Sequence, residues 1–271
     1  MQEQIGNSEQ EMSFLDHLED LKGHLFRSIL AIVILASVAF IFRNEIFTHV
    51  ILAPKSTDFV TFVGMCNLSH LLGMGDSLCF KPLELELQSV QMAGQFTMSL
   101  WSSFVIGLII AFPYILWEIW SFVKPGLRGA EQKYTKGVVF YTSVLFILGV
   151  LFGYYMIAPL SIHFLGTFQV SDSVQNIITI SSFVSIITTL TLSCGLVFEL
   201  PILIYFLTKI GLVDDIFLKK YRRHAIVLTL LLSAVITPPD FLSQILVSIP
   251  ILLLYEVGIK VAKVVKKKET A

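Results

Sequence analysis

Glu199 is the residue whose position most needs a chemical explanation. It lies about ten residues before Lys209 in a long apolar run, roughly 15 Å of helix inside that run's basic end and so near mid-membrane depth. A carboxylate there costs a few kcal/mol on insertion scales, so it must face protein or water and be protonated or paired. Two readings stay open. One is a structural hydrogen bond to another helix of the same chain; the other is a polar contact for a partner helix, or part of a proton or solute path. Pro201 follows two residues later and bends the helix, which favours a curved wall over a straight bundle member.

A second pair of acids stands at the surface. Asp20 belongs to an amphipathic N-terminal stretch, and Glu131 ends the loop sequence from Phe122 through Pro125 and Leu127. Both fall on the side where positive residues collect, and two carboxylates at headgroup level suit a basic ligand. Balancing Lys22, Arg128 or Lys133 is the alternative reading. Cys66 and Cys79 share one polar loop and can pair if that loop faces an oxidising compartment. Gly73-Met74-Gly75-Asp76 matches the GxGD of one intramembrane aspartyl protease class, but it sits in a polar loop with no aspartate inside any predicted span. HExxH, G-x-S-x-G and phosphate-loop patterns do not occur, so the chain reads as non-enzymatic and carries no sign of a cofactor or metal.

The elements that must position these residues are membrane helices. Of 271 residues, 55% are hydrophobic and 14% charged, and a net charge of -1 leaves no basic excess for nucleic acid. Apolar runs long enough to span the membrane cover 25–42, 96–120, 138–159 and 177–207, with shorter ones at 225–236 and 241–257. The last two have roughly 12 and 17 residues and flank Thr237-Pro238-Pro239-Asp240, so they read as a shallow helical hairpin. The predicted fold is an all-α polytopic membrane protein forming one integral domain over residues 1–271, without internal repeats.

Sixteen of the nineteen lysines and arginines fall on one face and only Arg43, Lys55 and Lys81 on the other, which predicts both termini in the cytoplasm. Residues 12–24 carry Phe14, Leu15, Leu18 and Leu21 at helical spacing and are expected to lie along the cytoplasmic interface as an amphipathic helix. The outer loop 44–95 should fold into a cap of short helices and turns.

Several separated motifs together resemble one family, the TatC subunit of the twin-arginine protein translocase. His17-Leu18-Glu19-Asp20-Leu21-Lys22 is similar to its H-L-x-E-L-R, Ala53-Pro54 to its outer-loop A-P, and Phe122-x-x-Pro125-x-Leu127-x-x-x-Glu131 to its first cytoplasmic loop. Tyr154 with Pro159-Leu160, Phe198-Glu199-x-Pro201, and Thr237-Pro238-Pro239-Asp240 with Ser243-Gln244 complete the match. The resemblance implies a concave, glove-like scaffold of six transmembrane helices with a short fifth and sixth. It implies that Asp20 and Glu131, with Lys22, Phe122, Pro125 and Leu127, hold the paired arginines of a signal peptide.

Asp20 stands where the family has Glu and Lys22 where it has Arg, which shifts weight to Glu131. The resemblance also implies that Glu199, Phe198, Pro201 and Gln244 meet a partner helix, and that Pro54 and Asp240 are structural on the periplasmic side. The implied partners are folded precursors, the single-span subunits TatA and TatB, membrane lipids and further copies of the chain, with the proton-motive force as the energy source. A small-solute or ion transporter using Glu199 is the alternative from another class.

Overall fold

The computed structural model describes residues 14–56, 58–77, 79–80, 86–123, 135–171, 173, 176–237 and 241–269. It is an all-α membrane protein. Eleven α-helices are described: α1 (Phe14–Ile41), α2 (Arg43–Ile46), α3 (Val60–Leu71), α4 (Gly94–Val123), α5 (Thr135–Phe152), α6 (Ala158–Thr167), α7 (Ile180–Val197), α8 (Leu200–Lys209), α9 (Asp215–Lys220), α10 (Arg222–Ile236) and α11 (Phe241–Glu269). Among the described residues, five segments are long and apolar enough to cross a membrane: Glu19–Ile41, Gly94–Phe122, Gly137–Thr167, Ile180–Lys209 and Ser243–Lys266. Helix α10 has 15 residues, about 22 Å at the standard rise, and is short by comparison.

Proline chemistry decides where the long helices are interrupted. Pro201 has no N–H to give the carbonyl of Val197, and α7 ends there; Phe198 and Glu199 form a turn before α8 starts with Pro201 in its first turn. Pro159 likewise leaves the Tyr155 carbonyl without its helical donor. The backbone widens into a π-helical turn over Gly153–Ile157, and the Thr61 hydroxyl of α3 donates to that same carbonyl. One proline therefore docks the cap onto the span beneath it.

The helices form a chain of neighbours. Helix α1 packs chiefly on α4, α4 on α5 and α7, α5 on α7, α8 on α11, and α11 on α10. The largest buried cluster joins Ile51 and Ile157 to Phe183, Ile187 and Leu190 of α7 and to Val247 and Ile251 of α11. At the α5–α7 seam a Cβ added to Gly149 would sit 2.6 Å from the Cys194 carbonyl, so only glycine permits this approach. Large apolar side chains such as Ile29, Val33 and Ile34 point outward from α1, as lipid-facing residues do.

The cap expected at 44–95 consists of α2, a π-helical turn Phe47–Ile51, a 3-10 turn Ala53–Lys55 and α3. Phe59 lies against the rings of Tyr154 and Tyr155 at 5.7 and 5.6 Å, and the Tyr154 hydroxyl donates to the Val50 carbonyl at 2.7 Å. Cys66 and Cys79 are joined in a disulfide.

Four features differ from the sequence reading. The amphipathic stretch is not a separate element, because one helix runs from Phe14 to Ile41 without a break at residue 24. Helix α11 is 29 residues long rather than short. The third span continues through α6 to Thr167, past Pro159. A two-residue parallel pair, β1 (Leu87–Gln88) with β2 (Ile178–Thr179), ties the end of the cap segment to the start of α7.

Candidate functional site

One end of the bundle carries the start of α1, the end of α4, the start of α5 and α9. Most of the lysines and arginines lie toward this basic end in sequence. Asp20 and Lys22 are exposed there on α1. Glu131, Pro125 and Leu127 lie outside the described residues, in the segment between the end of α4 at Val123 and the start of α5 at Thr135.

One helical turn beyond Asp20 lies His24, and it contacts a residue that the sequence reading passed over. Glu118 of α4 is only 7% exposed. His24 Nδ1 lies 2.5 Å from its Oε2, the Tyr114 hydroxyl donates to its Oε1 at 2.6 Å, and Arg27 Nε stands 3.8 Å away. Three groups thus compensate the desolvation of one carboxylate. Phe122, one turn along α4, faces the His24 ring at 6.1 Å between centroids. Asp20 and His24 on α1 therefore run alongside Glu118 and Phe122 on α4, both pairs at i,i+4 spacing. Glu118 is thus a second acid with a shielded carboxyl inside a span, beside the Glu199 that the sequence singles out. Glu118 stands five residues, about 7 Å, from the basic end of α4, and its signal was an acid inside the 96–120 run with a tyrosine four residues before it.

Glu199 sits in the two-residue turn between α7 and α8. Its backbone carbonyl accepts from Ile202 and Leu203, both at 3.0 Å. Its side chain is different: both carboxyl oxygens are buried and neither has a hydrogen-bond partner among the described residues. Phe198 packs on Phe152 at 5.6 Å, and Pro201 is buried. Gln244 does not join Glu199; its amide donates to the Leu230 carbonyl at 3.3 Å and links α11 to α10. Pro54 is fully buried, and Asp240 lies outside the described residues.

The second basic loop is fastened to α11. Asp214 caps α9 by accepting from Phe217 N–H at 2.7 Å and also pairs with Lys266 Nζ at 2.8 Å. The Lys266 hydrogen bond first, and the Phe217 N–H second, hold the Asp214 carboxyl below its usual range. Arg222 meets Glu256 at 2.8 Å, and the Tyr255 hydroxyl donates to the Leu218 carbonyl at 2.8 Å.

Comparison with known proteins assigns this architecture. Residues 16–250 match the family model described as Sec-independent protein translocase protein (TatC). A TatC from Blattabacterium sp. subsp. Periplaneta americana is 42% identical over 268 residues, covering 97% of this chain and 99% of its own. The TatC of Carboxydothermus hydrogenoformans is 32% identical over 259 residues, covering 95% and 96%. A crystal structure of the twin-arginine translocase receptor TatC, 28% identical, superposes with a TM-score of 0.67 over 92% of this chain and 99% of that one. A second crystal structure of that receptor, in DDM, gives 0.69 over 91% and 99%. Family, full-length relatives and fold agree, and the chain belongs to the TatC family, the Sec-independent protein translocase subunits of bacterial membranes.

Proposed function

We propose that this chain is the receptor and core scaffold of a twin-arginine translocase, binding the paired arginines of a signal peptide at its basic, cytoplasmic end. The observation that carries the reading is the α1–α4 seam. His24 and Phe122 are in contact there, Asp20 lies exposed one turn outward on α1, and α4 leads directly into the segment that bears Glu131. A guanidinium makes two parallel charge-assisted hydrogen bonds to a carboxylate where an ammonium makes a point contact, so two such acids select arginine over lysine.

The distribution of lysine and arginine supports cytoplasmic termini and an inner-membrane location. Glu199, whose carboxyl oxygens are buried without a hydrogen-bond partner among the described residues, is suited to a polar group on the helix of a single-span TatA or TatB subunit, with Phe198 and Pro201 shaping the turn that presents it. Precursors would cross folded, driven by the proton-motive force.

Photocrosslinking from a probe at position 131 to a twin-arginine precursor in inverted membrane vesicles tests this. A crosslink that disappears with a twin-lysine precursor is expected. Equal crosslinking to both, in a folded complex assembled with its partners, would overturn the receptor site and favour a solute path through Glu199.

A further inference from the structure

The turn that follows α3 gathers four metal-ligand side chains outside the translocase machinery. Cys66 and His70 are four residues apart on α3 and so share one face. Gly73 and Gly75, at φ of +71° and +60°, reverse the chain after the helix and return Asp76 and Cys79 to that face. The ligating atoms of Cys66, His70 and Cys79 all lie within 4.8 Å of one another.

The separations are informative. His70 Nε2 is 3.6 Å from Cys79 Sγ and 3.2 Å from Asp76 Oδ1, and Cys79 Sγ is 3.9 Å from Asp76 Oδ1. Tetrahedral zinc with bonds of about 2.3 Å to sulfur and about 2.1 Å to nitrogen and oxygen sets sulfur and nitrogen about 3.6 Å apart, nitrogen and oxygen about 3.4 Å, and sulfur and oxygen about 3.6 Å. Three edges of a zinc tetrahedron are therefore already present to within about 0.3 Å. The remaining change is at the two sulfurs, which are bonded to each other and in a zinc site would stand about 3.8 Å apart.

We propose that the reduced form of this cap is a zinc site, with the thiolates of Cys66 and Cys79, Nε2 of His70 and a carboxylate oxygen of Asp76 as its four ligands. Reduction takes two electrons and two protons from an external dithiol. The dithiol closes to its own disulfide, the Cys66–Cys79 bond breaks, and each sulfur gains a proton. Zinc then displaces both protons, so binding tightens as pH rises through the thiol range. Two thiolates with an imidazole and a carboxylate suit a borderline-soft ion and disfavour calcium or magnesium. In either redox state the end of α3 stays tied to the turn that follows it, by a disulfide in one and by the metal in the other.

The test uses the full chain in detergent. One sample stays oxidised; another is reduced with a trialkylphosphine and desalted without air. Both are loaded with zinc, freed of excess and assayed for metal. Close to one zinc per chain in the reduced sample, and little in the oxidised one, is the expected result. His70→Ala, checked for a monodisperse elution profile, should bind at least tenfold more weakly. Cobalt(II) in the reduced wild type should show thiolate-to-metal charge-transfer absorption that Cys79→Ser diminishes. Reduced wild type that retains no zinc, equal zinc in both redox states, or reduced His70→Ala binding as tightly as wild type would each overturn the proposal.

Discussion

At the residue scale, the deep carboxylates divide into one that is satisfied and one that is not. Glu118 has Tyr114, His24 and Arg27 around it, and removing it leaves the tyrosine hydroxyl and a largely buried imidazole without their acceptor. Glu118→Ala is expected to lower stability by about 1–3 kcal/mol, read as a loss of thermal stability in detergent. Glu118→Gln, which retains an acceptor for Tyr114, should lose less. Asp214 tests a different electrostatic term. Its carboxyl is held below the ordinary range by Lys266 and Phe217, so its stabilisation is present above the unfolded value of about 3.9 and is lost as pH falls through the folded one. Asparagine caps a helix about as well as aspartate, so Asp214→Asn removes the attraction to Lys266 and spares the cap. The wild type should melt slightly above the variant from about pH 5 upward, and the gap should close in stronger acid.

At the element scale, the apolar runs were legible because nothing but a helix satisfies its own backbone in lipid. Boundaries were less so. The change from amphipathic to apolar near residue 24 is a change of surroundings rather than of backbone: no proline falls between Phe14 and Ile41, and α1 continues through it. Helix α11 outruns its apolar segment for a related reason, since lysine is a good helix former and no proline follows Val257. Pairing of β1 with β2 spans two residues a side, too few for any periodicity to register. Close approach is likewise invisible in one dimension. Gly149 gave no sign that it lies under the Cys194 carbonyl and Phe198. Gly149→Ala should therefore cost about 1–3 kcal/mol through overpacking. Because Phe198 adjoins Glu199, the same variant should also weaken crosslinks from position 199 to a partner helix.

At the scale of the whole molecule, the contrast between Glu118 and Glu199 separates a contact that holds the scaffold together from a group that the proposed function assigns to a partner helix. Sequence alone located Glu199 and its proline-broken helix, yet left open whether the carboxylate was bound within the chain; its carboxyl oxygens are buried and make no hydrogen bond among the described residues. It did not register Glu118, because one acid in a run with Trp117, Ile119 and Trp120 barely alters the run's apolar character. An orphaned buried carboxyl destabilises the isolated subunit, and its replacement by an apolar group of similar length removes that penalty. Glu199→Leu is accordingly expected to leave the purified chain as stable as wild type, or more stable by about 1–3 kcal/mol, while export of a twin-arginine precursor falls severalfold. Thermal melts of the purified chain and transport into inverted vesicles measure the two effects separately. Loss of both stability and export would instead mark Glu199 as part of the scaffold's own packing, since a group that serves only an incoming helix has no stabilising role before that helix arrives.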